Sequence, residues 1–132
     1  MKNVLFVCVE NSCRSQMAEA FANMDGQEVI KAYSSGSRPS GSVNPKAVAS
    51  MQAAGYDLSV HTSKGLDEIP DIEYDLVVTM GCGDECPYVR AQQRQDWDIP
   101  DPKTMDEKEF DEIRDMIRKN VLELIEAVRS SS

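Results

Sequence analysis

Val4-Leu5-Phe6-Val7-Cys8-Val9-Glu10-Asn11-Ser12-Cys13-Arg14-Ser15-Gln16-Met17-Ala18-Glu19 is the stretch that decides the fold. A near-continuous apolar run, the pattern of a strand covered on both faces, leads into a polar loop that opens on a cysteine and closes on an arginine. Met17, Ala18, Ala20 and Phe21 then supply the apolar side of a helix expected from Ser15 to about Asn23. A strand, a tight loop and a helix N-terminus aim backbone N–H groups and one fixed positive charge at a single thiol. That arrangement suits an oxyanion site with a nucleophile at its floor.

The rest of the chain can be read outward from this unit. Residues 2–8 form the first strand, Glu28 to Ser34 reads as a second and Tyr74 to Met80 as a third, with a short fourth around Gln95 to Asp98. Ser35 to Ser42 is rich in Gly, Ser and Pro and reads as loop. Asn44-Pro45 opens a helix, with Asn as the cap and Pro at the first helical position, and Gly55 closes it. A short helix is expected after Thr62 or Ser63 and before Pro70. From Met105 to about Arg129, Phe110, Ile113, Ile117, Val121, Leu124, Ile125 and Val128 recur at helical steps and predict a long amphipathic helix.

This order predicts an α/β fold of three layers, a doubly wound, four-stranded parallel sheet flanked by helices. Functional loops then gather at the carboxyl ends of the strands. The loops after the first, third and fourth strands carry Cys8, Cys82 with Cys86, and Asp101.

The 132 residues, 41% of them hydrophobic, suit one domain spanning residues 1–132. The formal net charge of −9 argues against nucleic acid as a partner, which would need a basic face. A small anion is still accessible to local N–H groups, because distant carboxylates are screened beyond about 8 Å. No apolar run is long enough for a membrane span and no signal peptide is legible, so a cytoplasmic monomer without cofactor is expected. In such a compartment four cysteines point to catalysis or metal binding rather than to a disulfide framework. A zinc module built from those cysteines and His61 is disfavoured by their spacing.

Five residues separate Cys8 from Arg14, with the Ser15 hydroxyl available to donate to the sulfur. The guanidinium offers a planar fork for a tetrahedral oxyanion. Read alone, Asp101 is an ordinary turn residue before Pro102, and beside an identified nucleophile it becomes a candidate proton donor. His61 reads as a structural hydrogen-bonding residue, Cys13 as a packed loop residue and Trp97 as core beside the Asp101 turn.

Cys8 to Ser15 resembles the phosphate-binding loop of the low-molecular-weight tyrosine phosphatases, and Asn11 to Glu19 is similar to that of the arsenate reductases built on the same fold. The resemblance continues through Tyr33-Ser34-Ser35-Gly36, Val43 to Ala47, His61-Thr62-Ser63, Asp75 to Met80, Cys86-Pro87 and Asp96-Trp97 to Asp101-Pro102. It implies that Cys8 attacks arsenate and that Val9, Glu10, Asn11, Ser12, Cys13, Arg14 and Ser15 form the oxyanion-binding loop. It further implies that Asp101 protonates the departing oxygen. Within that loop Asn11 and Ser15 would fix its shape and the thiolate.

A phosphatase needs one thiol, whereas a reductase needs a further thiol to attack Cys8 and release arsenite. The resemblance assigns that role to Cys82 and assigns Cys86 as the thiol that then takes over the disulfide, with thioredoxin as reductant. Only Gly83, Asp84 and Glu85 separate the two, a shorter gap than in typical thioredoxin-coupled relatives, which leaves glutaredoxin or a small thiol as the alternative donor. Phosphatases of this fold have aromatic residues after the Asp-Pro, where this chain has Lys103-Thr104-Met105, which favours a small inorganic substrate. The alternative function is a low-molecular-weight tyrosine or aryl phosphatase using Cys8, Arg14 and Asp101. Relatives that bind potassium near the loop have an Asp where this chain has Lys64, while Asn11, Glu19 and Ser34 match the other ligands. A lysine there could pair with Glu19 and replace the cation.

Overall fold

In the computed structural model of the chain, which describes residues 1–81 and 89–131, β1 (Lys2–Cys8) lies inside the sheet. It pairs in parallel with β2 (Ile30–Gly36) on one side and β3 (Tyr74–Met80) on the other, and β3 carries β4 (Ala91–Trp97) at its outer edge. The order β2-β1-β3-β4 reverses direction between β1 and β3, so a crevice opens at their carboxyl ends. Cys8 is the last residue of the strand on one side of that crevice and Met80 the last on the other.

Three helices pack together on one face: α1 (Arg14–Gly26), α2 (Pro45–Ala53) and α3 (Glu107–Ser131). Val4, Phe6, Leu76 and Val78 from the sheet meet Met17, Phe21, Met51, Phe110, Ile117 and Val121 in this main core. The opposite face is closed by a thinner layer, in which Leu66, Ile69 and Ile72 pack against Leu5, Val7 and Val77. The three expected layers are therefore present and unequal. Among the described residues no helix is long and apolar enough to cross a membrane.

Several boundaries differ from the sequence expectation. Helix α1 runs three residues past Asn23, and Gly26 is its last residue, seated against Ile125 of α3. Strand β2 starts at Ile30 and ends at Gly36, two residues later than expected at each end, so Ser35 and Gly36 are strand and not loop. Both are small residues, which hid them in a Ser/Gly-rich run. Strand β4 begins at Ala91 rather than near Gln95. Its Gln92, Gln93, Arg94 and Gln95 are exposed, so it forms by ladder pairing with β3 and carries no hydrophobic signal, as suits an edge. The short helix expected between Ser63 and Pro70 is a single 3-10 turn, Leu66–Glu68, and a second such turn, Leu58–Val60, lies ahead of it where none was expected. Trp97 is partly buried and stacks obliquely on Phe6, 5.9 Å between ring centres, as a core residue should.

Candidate active site

The loop between β1 and α1 is shaped by where its carbonyls go. Cys8 O accepts from Ser37 N–H at 3.3 Å, Val9 O from Arg38 N–H at 2.8 Å, Glu10 O from Ser40 N–H at 3.0 Å and Ser12 O from Asn44 N–H at 3.0 Å. Glu10 O also accepts from Ser63 Oγ, Asn11 O from the Gln16 side-chain amide at 3.1 Å, and Cys13 O from Met17 N–H within α1. With every carbonyl from 8 to 13 engaged on the outside, the N–H groups are left for the concave side. Asn11 takes a left-handed conformation, φ 51°, which turns the chain at the middle of the loop. Gly36, paired with Cys8 in the sheet, lets the loop lie close, since a Cβ there would stand 2.6 Å from Val9 O and 2.9 Å from Asn11 N.

At the floor, Cys8 Sγ and Ser15 Oγ are 2.9 Å apart. Asn11 Nδ2 donates to that same Ser15 oxygen at 2.8 Å, which leaves the hydroxyl hydrogen free to donate to sulfur. Asn11, Ser15 and Cys8 thus form one short chain of hydrogen bonds. The chain extends backward: Gln16 Nε2 donates to Asn11 Oδ1 at 2.8 Å, Gln16 Oε1 meets His61 Nδ1 at 2.9 Å, and His61 Nε2 meets the Tyr56 hydroxyl at 2.6 Å. His61 is a structural residue, as expected. Burial holds its imidazole below the ordinary range, with Glu19 opposing that shift and Lys64 adding to it.

Arg14 is buried, and its guanidinium has neighbours at Ile99, Asp101 and Gly81. Nη1 donates to Ile99 O at 3.0 Å, and Nη2 lies 3.8 Å from Asp101 Oδ2. Asp101 is about half exposed. Gly81, φ 71°, comes so close to Arg14 that a Cβ would meet Nη1 at 2.3 Å. Gly81 at the end of β3 and Ile99 and Asp101 after β4 therefore meet at the guanidinium that closes the β1 loop, the crevice that the topology predicted. Cys82 and Cys86 lie outside the described residues.

Cys13 is buried at the start of α1, and burial pushes its thiol up to about 11, so it stays protonated near neutrality. Lys64 places its ammonium beside Thr62, Ser34 and Glu19. Its Nζ lies 3.0 Å from Thr62 O, 3.4 Å from Ser34 Oγ and 3.9 Å from Glu19 Oε1, while its N–H donates to Asn11 Oδ1 at 2.8 Å. No loop-supporting role is legible in the sequence alone for Gln16, Ser63, Gly36 or residues 37–44, where Asn44 reads only as a helix cap, yet these residues hold the loop from outside. Their polarity was legible, but their partners lie in distant parts of the chain.

Residues 3–132 match the low molecular weight phosphotyrosine protein phosphatase family. The chain is similar to the glutaredoxin arsenate reductase of Synechocystis sp., 38% identical over 128 residues that span 95% of this chain and 97% of that one. A solved structure of an arsenate reductase in the phosphate binding state superposes with a TM-score of 0.86 at 37% identity, across 97% of this chain and 99% of the other. The thioredoxin-dependent arsenate reductase of Corynebacterium glutamicum gives a TM-score of 0.81 at 29% identity, across all of this chain and 64% of that one.

Two predictions come from this geometry. Gly81→Ala drives a methyl group into Arg14, so inorganic phosphate should bind about tenfold more weakly or worse by isothermal titration, because small misplacements at such sites are costly. An unchanged affinity would show that Arg14 is not placed by this contact. The depressed His61 pKa means that the unfolded chain binds the proton more readily than the native one. Stability from neutral His61 is complete above about pH 6.5 and is lost as pH falls below it. Melting curves between about pH 5 and 8 should show that loss, and His61→Asn should flatten it.

Proposed function

The chain belongs to the low molecular weight phosphotyrosine protein phosphatase family, and from that premise we propose that it is an arsenate reductase whose electrons come from a cysteine relay. The observations that support the chemistry are the Ser15 hydroxyl beside Cys8 Sγ, the outward-bonded loop between Cys8 and Arg14, and the Arg14–Asp101 pair at the end of that loop. That constellation supports nucleophilic attack on a tetrahedral oxyanion. Two features favour reduction over hydrolysis: relatives named as arsenate reductases match at 37–38% identity over nearly the whole chain, and cysteines follow β3 directly after the Gly81 that touches Arg14.

In the proposed cycle the Cys8 thiolate attacks arsenic. A sulfur–arsenic bond forms, an arsenic–oxygen bond breaks, and Asp101 protonates the departing oxygen so that water leaves. Arg14 and the loop N–H groups hold the remaining oxygens. The Cys82 thiolate then attacks Cys8 Sγ, a disulfide forms, and the sulfur–arsenic electron pair stays on arsenic, which leaves as arsenite. Two thiols have been oxidised and arsenic has gained two electrons. Attack by Cys86 on Cys82 frees the Cys8 thiolate and moves the disulfide to Cys82–Cys86, where a dithiol such as thioredoxin reduces it.

Thioredoxin is the proposed donor, by analogy with the Corynebacterium enzyme, and the Synechocystis relative's name makes glutaredoxin, with its small thiol, the competing one. A reducing cytoplasm would keep the relay thiols available to a monomer. We further propose that the Lys64 ammonium stands where relatives hold potassium, on the strength of its distances to Ser34, Thr62 and Glu19.

Cys8→Ser should abolish every activity. Cys82→Ser should lose arsenate turnover and retain slow hydrolysis of an aryl phosphate; normal arsenate turnover by this variant with every thiol donor would refute the relay. Mass spectrometry after stoichiometric arsenate should find a Cys82–Cys86 disulfide, whereas a mixed disulfide with glutathione would select the other donor. Potassium should raise the melting temperature no more than sodium does. A specific potassium effect would return a cation to the Lys64 position.

A further inference from the structure

Glu10 places a carboxylate on the rim of a loop whose N–H groups serve an anion. Both of its oxygens accept from Lys103 Nζ, at 2.7 and 2.8 Å. Lys103 belongs to the facing wall, two residues beyond Asp101, and its own N–H donates to Asp101 Oδ1 at 3.0 Å. One residue therefore grips the Asp101 carboxylate through its backbone and the Cys8 loop through its side chain. Glu10 holds the Lys103 ammonium above its ordinary range, and Asp101 adds to the effect. The same two walls are joined a second time on the inside, by Arg14 to Ile99 O. The inner tie is buried; the outer one is an exposed ion pair, with the side chains 56% and 29% accessible.

We propose that the Glu10–Lys103 pair is a specificity latch, which closes the outer mouth between the Cys8 loop and the Asp101 loop against an organic substituent and admits an unsubstituted inorganic oxyanion. The inference rests on the oxyanion-site reading above and names its substrate class. In a phosphate or arsenate ester the substituent sits on the oxygen that leaves, and that oxygen must face its proton donor, Asp101. The substituent then projects past Asp101, where Lys103 spans to Glu10. A free oxyanion carries at most a hydrogen there. Pairing also cancels the Glu10 charge, so the rim does not repel an approaching dianion. An exposed pair is a weak barrier, so the latch discriminates by a modest factor and does not exclude absolutely.

The test compares inorganic phosphate with phenylphosphonate by isothermal titration, at a pH where both are dianions, so that charge effects cancel in the ratio of their dissociation constants. The parent protein should prefer phosphate. Lys103→Ala and Glu10→Ala should each move the ratio toward phenylphosphonate by about fivefold, and Lys103→Arg, which keeps the pair, should retain the parent ratio. Three results overturn the latch: a parent that binds both ligands equally, ratios within about twofold of the parent in both alanine variants, or an arginine variant that shifts as far as alanine. Absence of phosphate binding to the parent would instead remove the oxyanion site and the proposed function with it, a failure distinct from an unchanged ratio.

Discussion

Six backbone carbonyls, from Cys8 to Cys13, govern this structure. A loop that turns its N–H groups inward must turn its carbonyls outward, and a buried carbonyl without a donor costs about 1–3 kcal/mol. Six such losses would consume the roughly 5–15 kcal/mol by which a domain is stable. The chain meets the requirement with donors around the loop: the backbone of Met17, Ser37, Arg38, Ser40 and Asn44, the Ser63 hydroxyl and the Gln16 amide. The Ser/Gly/Pro-rich segment after β2 is thus a mould for the anion loop. Its poverty in bulky side chains lets it run close enough to donate.

The same requirement explains how much of the site the sequence disclosed. Cys8, Arg14 and Ser15 are close in sequence, and a strand before them with a helix after them leaves little freedom in how they meet. Asp101 was legible through the resemblance and through topology, because the carboxyl ends of parallel strands face the same crevice. The supporting contacts were illegible for the opposite reason. Ser63 to Glu10, Lys64 to Asn11 and Gln16 to His61 each join residues more than forty positions apart, and no periodicity announces them. Strand β4 shows a different gap: its glutamines and arginine face solvent, so its strand character comes from β3 and not from its own side chains. Glu10 and Lys103 read individually as two more charges in a strongly charged chain, and only the fold makes them a pair.

Arg14 deserves its burial because it serves two structures at once. Its guanidinium is already anchored to Ile99 O and lies beside Asp101 and Gly81, so the fork is held in place before any ligand arrives. Ordering a free arginine on binding would cost side-chain entropy, and this one has already been ordered by folding. The polar network behind the loop does the same for Ser15. Tyr56, His61, Gln16 and Asn11 leave the Ser15 hydroxyl a single good direction in which to donate, toward Cys8.

That one hydrogen bond has two uses in the proposed cycle. A donor to sulfur stabilises the thiolate relative to the thiol and so favours the first attack on arsenic. It also makes Cys8 a better leaving group, because thiol–disulfide exchange runs faster when the departing sulfur is stabilised as thiolate. When Cys86 attacks Cys82, the sulfur that departs is Cys8, and Ser15 is already in place to receive its charge. A phosphatase draws on the same donor when phosphate leaves Cys8. Binding, first attack and thiolate release are therefore common property of the loop, and the direction of electron flow belongs to whichever nucleophile reaches the adduct next: water at the central atom hydrolyses it, and a thiol at sulfur reduces it.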